Sequence, residues 1–144
     1  MTVYKKILVA VDGSDISRKT LHIAVDEAKV WGSDLTVVYV LETGMFEDIP
    51  ADQKMEYIRN LFEQQGNNVF EYAEDLGKEA GVNVDAIFKE GHAGIEIINA
   101  ADETGADLIV IGSHGRSDIE KILLGSVSAH VVRHSKVSTL VVRV

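Results

Sequence analysis

Five short apolar runs alternate along this chain with stretches whose apolar residues recur every three or four positions. That alternation of strand-like and helix-like periods constrains the fold more than any other feature. Lys6–Val11 is a continuous apolar run, the pattern of a strand buried on both faces. Asp12-Gly13-Ser14 ends it as a turn and helix start, and Leu21, Ala24, Val25 and Ala28 then mark one face of a helix over about 15–31. Leu35–Val40 reads as the second strand. Residues 41–53, with the single proline Pro50, form the least regular segment. Met55, Ile58, Phe62, Val69, Ala73, Leu76 and Ala80 fall on one helical stripe, interrupted by Gly66 as a weak point and closed by Gly81. Val82–Phe88 is the third strand, Ile95–Thr104 the third helix with Gly105 as its stop, and Asp107–Ile111 the fourth strand. Ile119, Ile122, Leu123, Val127 and Val131 place helix over about 118–134, in one or two pieces, before a fifth strand at Thr139–Val144.

Strands that alternate with helices pair in parallel through right-handed crossovers, with helices on both faces. The sequence therefore predicts one α/β domain over residues 1–144, a doubly wound, five-stranded parallel sheet. The 144 residues are enough for a core without staples. The absence of cysteine excludes disulfides, thiolate metal sites and a cysteine nucleophile. No apolar stretch approaches the ~20 residues of a membrane helix, and Met1–Val11 lacks the pattern of a secretory signal, so the expected location is cytoplasmic.

Charge divides unevenly. The net charge of −9 argues against nucleic-acid binding. Residues 1–111 carry 9 Lys/Arg and 21 Asp/Glu, whereas 112–144 carry 5 and 2. A basic last quarter suits a small anion, although a basic helix face alone would give the same balance. The acidic density over 42–85 reads as a solvated helix face.

Open parallel sheets bind ligands outside the carboxyl ends of their strands. The fourth strand has the richest such end: Gly112-Ser113-His114-Gly115-Arg116, followed by Gly125-Ser126 near a helix start. Glycines let main-chain N–H groups approach an anion, and a helix N-terminus adds unpaired donors and a favourable dipole. Ser126 and Ser128 offer hydroxyl donors and Arg116 a positive charge. Each glycine alone is explained as a turn residue; the set points to a phosphate site. It is neither a Walker loop nor the dinucleotide fingerprint, since Val11-Asp12-Gly13-Ser14 stands where the latter belongs.

In Ile7–Ser14, Ala106–Gly112, Leu140–Val142 and above all the G-x2-G-x9-G-S spacing of Gly112, Gly115, Gly125 and Ser126, the chain resembles the ATP-binding members of the universal stress protein family over nearly its whole length. The resemblance implies the strand order 3-2-1-4-5 and a nucleotide at the gap between strands one and four. It implies that Gly112, Gly115, Gly125 and Ser126 surround phosphates and ribose, with Ile111, His114 and Arg116 in the same loop and Val127 and Ser128 extending the helix-end donors. Val11 and Asp12 would meet the nucleoside, and Val40 would line the adenine slot. ATP with Mg²⁺ or Mn²⁺, a homodimer through strand five, and a regulatory stress-response role with at most slow ATP hydrolysis follow from the same likeness. The alternatives are a slow ATPase or nucleotidyl-transfer enzyme, and an interaction module that never meets nucleotide. Val137-Ser138-Thr139 departs from the proline that many members carry before the last strand.

Other constellations are weaker. Asp12 lacks the acidic partner and the lysine of a receiver domain. His130 and His134 have metal-ligand spacing on a helix, without a third ligand, and read as helix-end histidines. His22 and His92 read as structural or exposed residues, and Trp31 as packing. No serine lies in a nucleophile elbow, and Ser14 suits a helix cap. No catalytic residue and no resident metal ligand are expected.

Overall fold

The computed structural model describes residues 3–12, 15–42, 53–113 and 125–143. The elements run β1 (Lys6–Val11), α1 (Asp15–Trp31), β2 (Asp34–Glu42), α2 (Gln53–Ala80), β3 (Val84–Gly91), α3 (Ala93–Thr104), β4 (Leu108–Gly112), α4 (Ser126–His134) and β5 (Ser138–Val142). All strand pairs are parallel and the order is β3-β2-β1-β4-β5, as expected. The register sets Val9 between Val37 and Val110, and Ala10 between Val38 and Ile111.

Side-chain alternation divides the core in two. Ile7, Val9 and Val11 join Leu35, Val37, Tyr39 and Val110 beneath α1 and α2, through Leu21, Ala24, Val25, Ala28 and Ala73. Leu8 and Ala10 join Val38, Ile109 and Ile111 beneath α3 and α4, through Ile97, Ala100, Ala101 and Val131. Each strand is apolar at successive positions because each of its faces meets a different helical layer.

Several boundaries differ from the sequence reading. β2 continues to Glu42, because its last residues still pair with β3, Leu41 opposite Glu90 and Glu42 opposite Gly91. β3 starts two residues later than expected, since the Val82 N–H is taken by the Gly77 carbonyl as the chain turns out of α2. α3 begins two residues before Ile95, at Ala93. Gly66 does not weaken α2. A Cβ there would stand 3.2 Å from the Tyr39 ring and 3.4 Å from the Phe88 ring, so the glycine lets a continuous helix lie against those stacked aromatics. α4 begins at Ser126; the part of the expected helix before 125 lies outside the described residues, as do Val144 and Ser14.

Candidate functional site

The winding reverses between β1 and β4: β2 and β3 lie to one side of that pair and β5 to the other. Crossovers leave in opposite directions here and open a crevice beyond the strand ends.

At the β4 end, Ser113 is buried and its N–H donates to the Val142 carbonyl of β5 at 2.8 Å. Its own carbonyl accepts twice, from the Gly125 N–H at 2.7 Å and from the Ser128 hydroxyl at 2.7 Å. One carbonyl therefore fixes both the point where the chain leaves β4 and the point where it returns into α4. Gly112 permits a close approach on the other face, where a Cβ would lie 3.3 Å from Thr20 Oγ1 and 3.4 Å from Ile16.

Gly125 is the N-cap of α4, in extended conformation and with no side chain to cap the helix. The first bond of the helix ladder runs from Ala129 N–H to the Gly125 carbonyl. The N–H groups of Ser126, Val127 and Ser128 precede that bond, and they carry the positive end of the helix dipole. Arg133 and His134 in the last turn complement its negative end. The neighbouring α3 has no such vacancy, because the Glu42 carboxylate accepts from Ala93 N–H at 2.7 Å and pairs with His92 Nδ1 at 3.2 Å. On this face of the sheet, β2 supplies an anion to one helix start, while no described side chain caps the other.

At the β1 end, Asp12 is half-buried and bonded twice to Ser17 of α1. Val40 is half-buried on the α3–α4 face and Ile111 is buried there. The structure thus brings Asp12, Val40, Ile111, Gly112, Gly125, Ser126, Val127 and Ser128 to the same end of the sheet.

The structure narrows one of the expected contacts and corrects another. Val11 lies in the α1–α2 core, so only its main chain can meet a ligand in the crevice. The Ser128 hydroxyl is buried and engaged by Ser113 and Gly125 oxygens, so it serves the scaffold rather than adding a donor. His114, Gly115 and Arg116 lie outside the described residues.

Ser113, Ser17 and Glu42 hold the ends of these elements through bonds that the sequence reading left unassigned. Ser113 had no signal beyond a small polar residue after a strand and Ser17 none beyond one within a helix; Glu42 lies two residues past the expected end of the second strand.

Among the described residues, no group of three or more His, Asp or Glu is placed to hold a metal. His130 and His134 stack with ring centroids 4.2 Å apart, and His134 Nδ1 lies 2.9 Å from the His130 carbonyl. His22 pairs with the Tyr72 hydroxyl at 2.7 Å, and Trp31 packs edge-on to Tyr4. No helix among the described residues is long and apolar enough to cross a membrane.

The order β3-β2-β1-β4-β5 with helices on both faces defines a doubly wound α/β domain, a class that binds ligands beyond the carboxyl ends of its strands. The chain belongs to the universal stress protein family, whose model matches residues 3–143. It is 36% identical over 148 residues to the universal stress protein YxiE of Bacillus subtilis, covering 98% of this chain and 100% of that one. It is 33% identical over 141 residues to the universal stress protein MJ0531 of Methanocaldococcus jannaschii, covering 98% and 83%. Among solved structures, it is similar to that of MJ0577 with a TM-score of 0.82 at 27% identity, covering 99% of this chain and 98% of that one. It is also similar to a universal stress protein in complex with cAMP, with a TM-score of 0.70 at 29% identity and 97% of both chains covered.

Proposed function

We propose that this chain binds ATP in the crevice between β1 and β4 and acts as a nucleotide-dependent regulatory module. The observation that carries the reading is the start of α4, uncapped by any described side chain and tied beside the end of β4 by the Ser113 carbonyl. Phosphates need main-chain donors at close range, which this helix start offers through Ser126 and Val127. The G-x2-G-x9-G-S spacing supplies small residues on both sides of the loop, with Arg116 as a local cation. Val40 and Ile111 give an apolar wall for the base, and Asp12 a polar edge. The cAMP complex of a related protein at 29% identity supports an adenine nucleotide as the ligand class.

A divalent cation, Mg²⁺ or Mn²⁺, would arrive with the triphosphate and neutralise its charge, because Mg²⁺ is commonly held by substrate phosphates plus one or two carboxylates. Phosphoryl transfer also needs a positioned nucleophile. Among the described residues the site offers charge stabilisation and no side chain placed to act as a general base, so we expect hydrolysis to be absent or far slower than the ~1–100 s⁻¹ of kinases.

Isothermal titration with ATP and Mg²⁺ tests the reading. The wild-type protein should bind below millimolar concentration, and a folded Gly115→Val, Gly125→Val double variant should not bind. Undiminished affinity in that variant would place the site elsewhere, and no binding by the wild type would leave a nucleotide-independent interaction module. Rapid multiple-turnover release of ADP would move the assignment to an enzyme.

A further inference from the structure

Resting on that reading, we infer that Ser17 is a positioning residue for nucleoside selection: it turns the end of β1 into a hydrogen-bond acceptor. Asp12 is the first residue after β1, at the strand bordering the crevice. Its N–H donates to Ser17 Oγ at 3.1 Å, and the Ser17 hydroxyl donates to Asp12 Oδ1 at 2.9 Å. The two bonds close a ring between the main chain and the side chain of one residue through a single hydroxyl.

A hydroxyl has one proton and two lone pairs, so this arrangement uses its donor on the carboxylate and an acceptor position on the amide. Ser17 is only 5% exposed, and it sits in the first turns of α1 rather than on a loop. The hydroxyl of Thr20, one turn further, cannot replace it, because it is given to the Ile16 carbonyl at 2.7 Å.

Two consequences follow for a ligand. The main-chain donor at the end of β1 is withdrawn, since Ser17 already takes it. The Asp12 carboxylate accepts hydrogen bonds and offers none. A nucleoside therefore fits here with a donor toward Asp12, either an exocyclic amino group on the base or a ribose hydroxyl. A base with a carbonyl in place of the amino group would bring an acceptor against an acceptor, and a site built to hydrogen-bond a substrate donor rejects the analogue that lacks it.

The test compares ATP, ITP and 2′,3′-dideoxy-ATP by isothermal titration with Mg²⁺. ITP replaces the amino group by a carbonyl, and the dideoxy analogue lacks both ribose hydroxyls. Wild-type protein should prefer ATP over at least one of them. Ser17→Ala, with its folding verified by circular dichroism, should weaken ATP binding by about tenfold, the scale of one hydrogen bond to a charged group. It should also narrow the preference over the analogue that lacks the donor Asp12 accepts, and thereby name that donor. Ser17→Thr keeps the hydroxyl and should keep the preference. In an Asp12→Ala background, where the carboxylate bond is already gone and Ser17 holds only the main-chain N–H of residue 12, Ser17→Ala should weaken ATP binding by clearly less than tenfold. Equal weakening toward all three ligands, or the same loss with and without Asp12, would make Ser17 merely structural and overturn the inference. So would a wild type that binds all three equally. Wild-type ATP binding that is abolished by Gly115→Val, Gly125→Val yet untouched by Ser17→Ala would overturn this inference alone. No ATP binding by the wild type would overturn both.

Discussion

The Ser128 hydroxyl, in the first turn of α4, donates to the Ser113 carbonyl at the end of β4 across 2.7 Å. Fifteen residues separate them in sequence, and both are buried. The contact joins the strand that carries the first half of the glycine motif to the helix that carries the second. The Gly125 N–H shares the same carbonyl, so the geometry of the helix start depends on this acceptor.

Ser128→Ala should therefore destabilise the fold. The Ser113 carbonyl keeps its bond from Gly125 and loses the second, in a site closed to water, which costs about 1–2 kcal/mol. Urea unfolding should show a lower midpoint with an unchanged slope. An unaltered midpoint would mean that the hydroxyl is dispensable to the junction.

Gly94→Ala should destabilise through α4. An added Cβ would meet the His130 ring at 2.7 and 2.9 Å and the His130 Cβ at 3.1 Å, too close for the ring to evade by turning. Overpacking of this kind costs about 1–3 kcal/mol, against a helix-propensity gain of ~1 kcal/mol for replacing a glycine. Combining it with His130→Ala should recover stability, giving a coupling of about 0.5 kcal/mol or more in a double-mutant cycle. Additive effects would show that the helices part without cost.

The legible part of this molecule was its periodicity. Residues such as Val9 and Val110 sit in continuous apolar runs because both sheet faces are covered, and that pattern survives in one dimension. Helix ends marked by left-handed glycines, Gly81 and Gly105, were equally readable. The role of Gly66 was not, since its reason lies across the fold in Tyr39 and Phe88. Nor could sequence tell that Val11 faces α1 and α2 while Val40 faces α3 and α4, because a continuous apolar run does not say which parity points to which layer. The glycine motif located the helix start. The Ser128 hydroxyl that holds it reaches Ser113 across a separation set by topology, and a serine looks the same in sequence whether it binds a ligand or its own backbone.

Glu42 should matter to α3 as a cap supplied from another element. Its carboxylate accepts from Ala93 N–H at 2.7 Å at the positive end of the helix dipole. Glu42→Ala should cost about 1 kcal/mol, the usual value of a lost cap. Glu42→Gln keeps an acceptor but loses the charge, and should cost about 0.3–1 kcal/mol at low salt. Thermal melting in 0.05 M and 1 M NaCl separates the two contributions, since only the charge component shrinks under screening. A salt-independent deficit in the Gln variant would show that the dipole interaction is negligible here.

The two edges of the sheet are unequally protected, and this predicts how the chain assembles. β3, at one edge, carries Asp85, Lys89 and Glu90, with Lys89 and Glu90 held in ion pairs to Glu103 and Arg59. β5, at the other, is Ser138-Thr139-Leu140-Val141-Val142, without charge or proline. An unguarded edge strand offers a row of free main-chain groups to a second copy, and a two-fold axis beside β5 would satisfy them symmetrically. Light scattering at micromolar concentration should give about twice the 15.7 kDa chain mass, with or without ATP. The chain contains no cysteine, so one introduced by Ser138→Cys is a unique handle. A short bismaleimide should join two Ser138→Cys chains, while Asp85→Cys on the opposite edge should remain unlinked. A monomeric mass would remove the dimer, and linking through residue 85 instead would move the interface to β3.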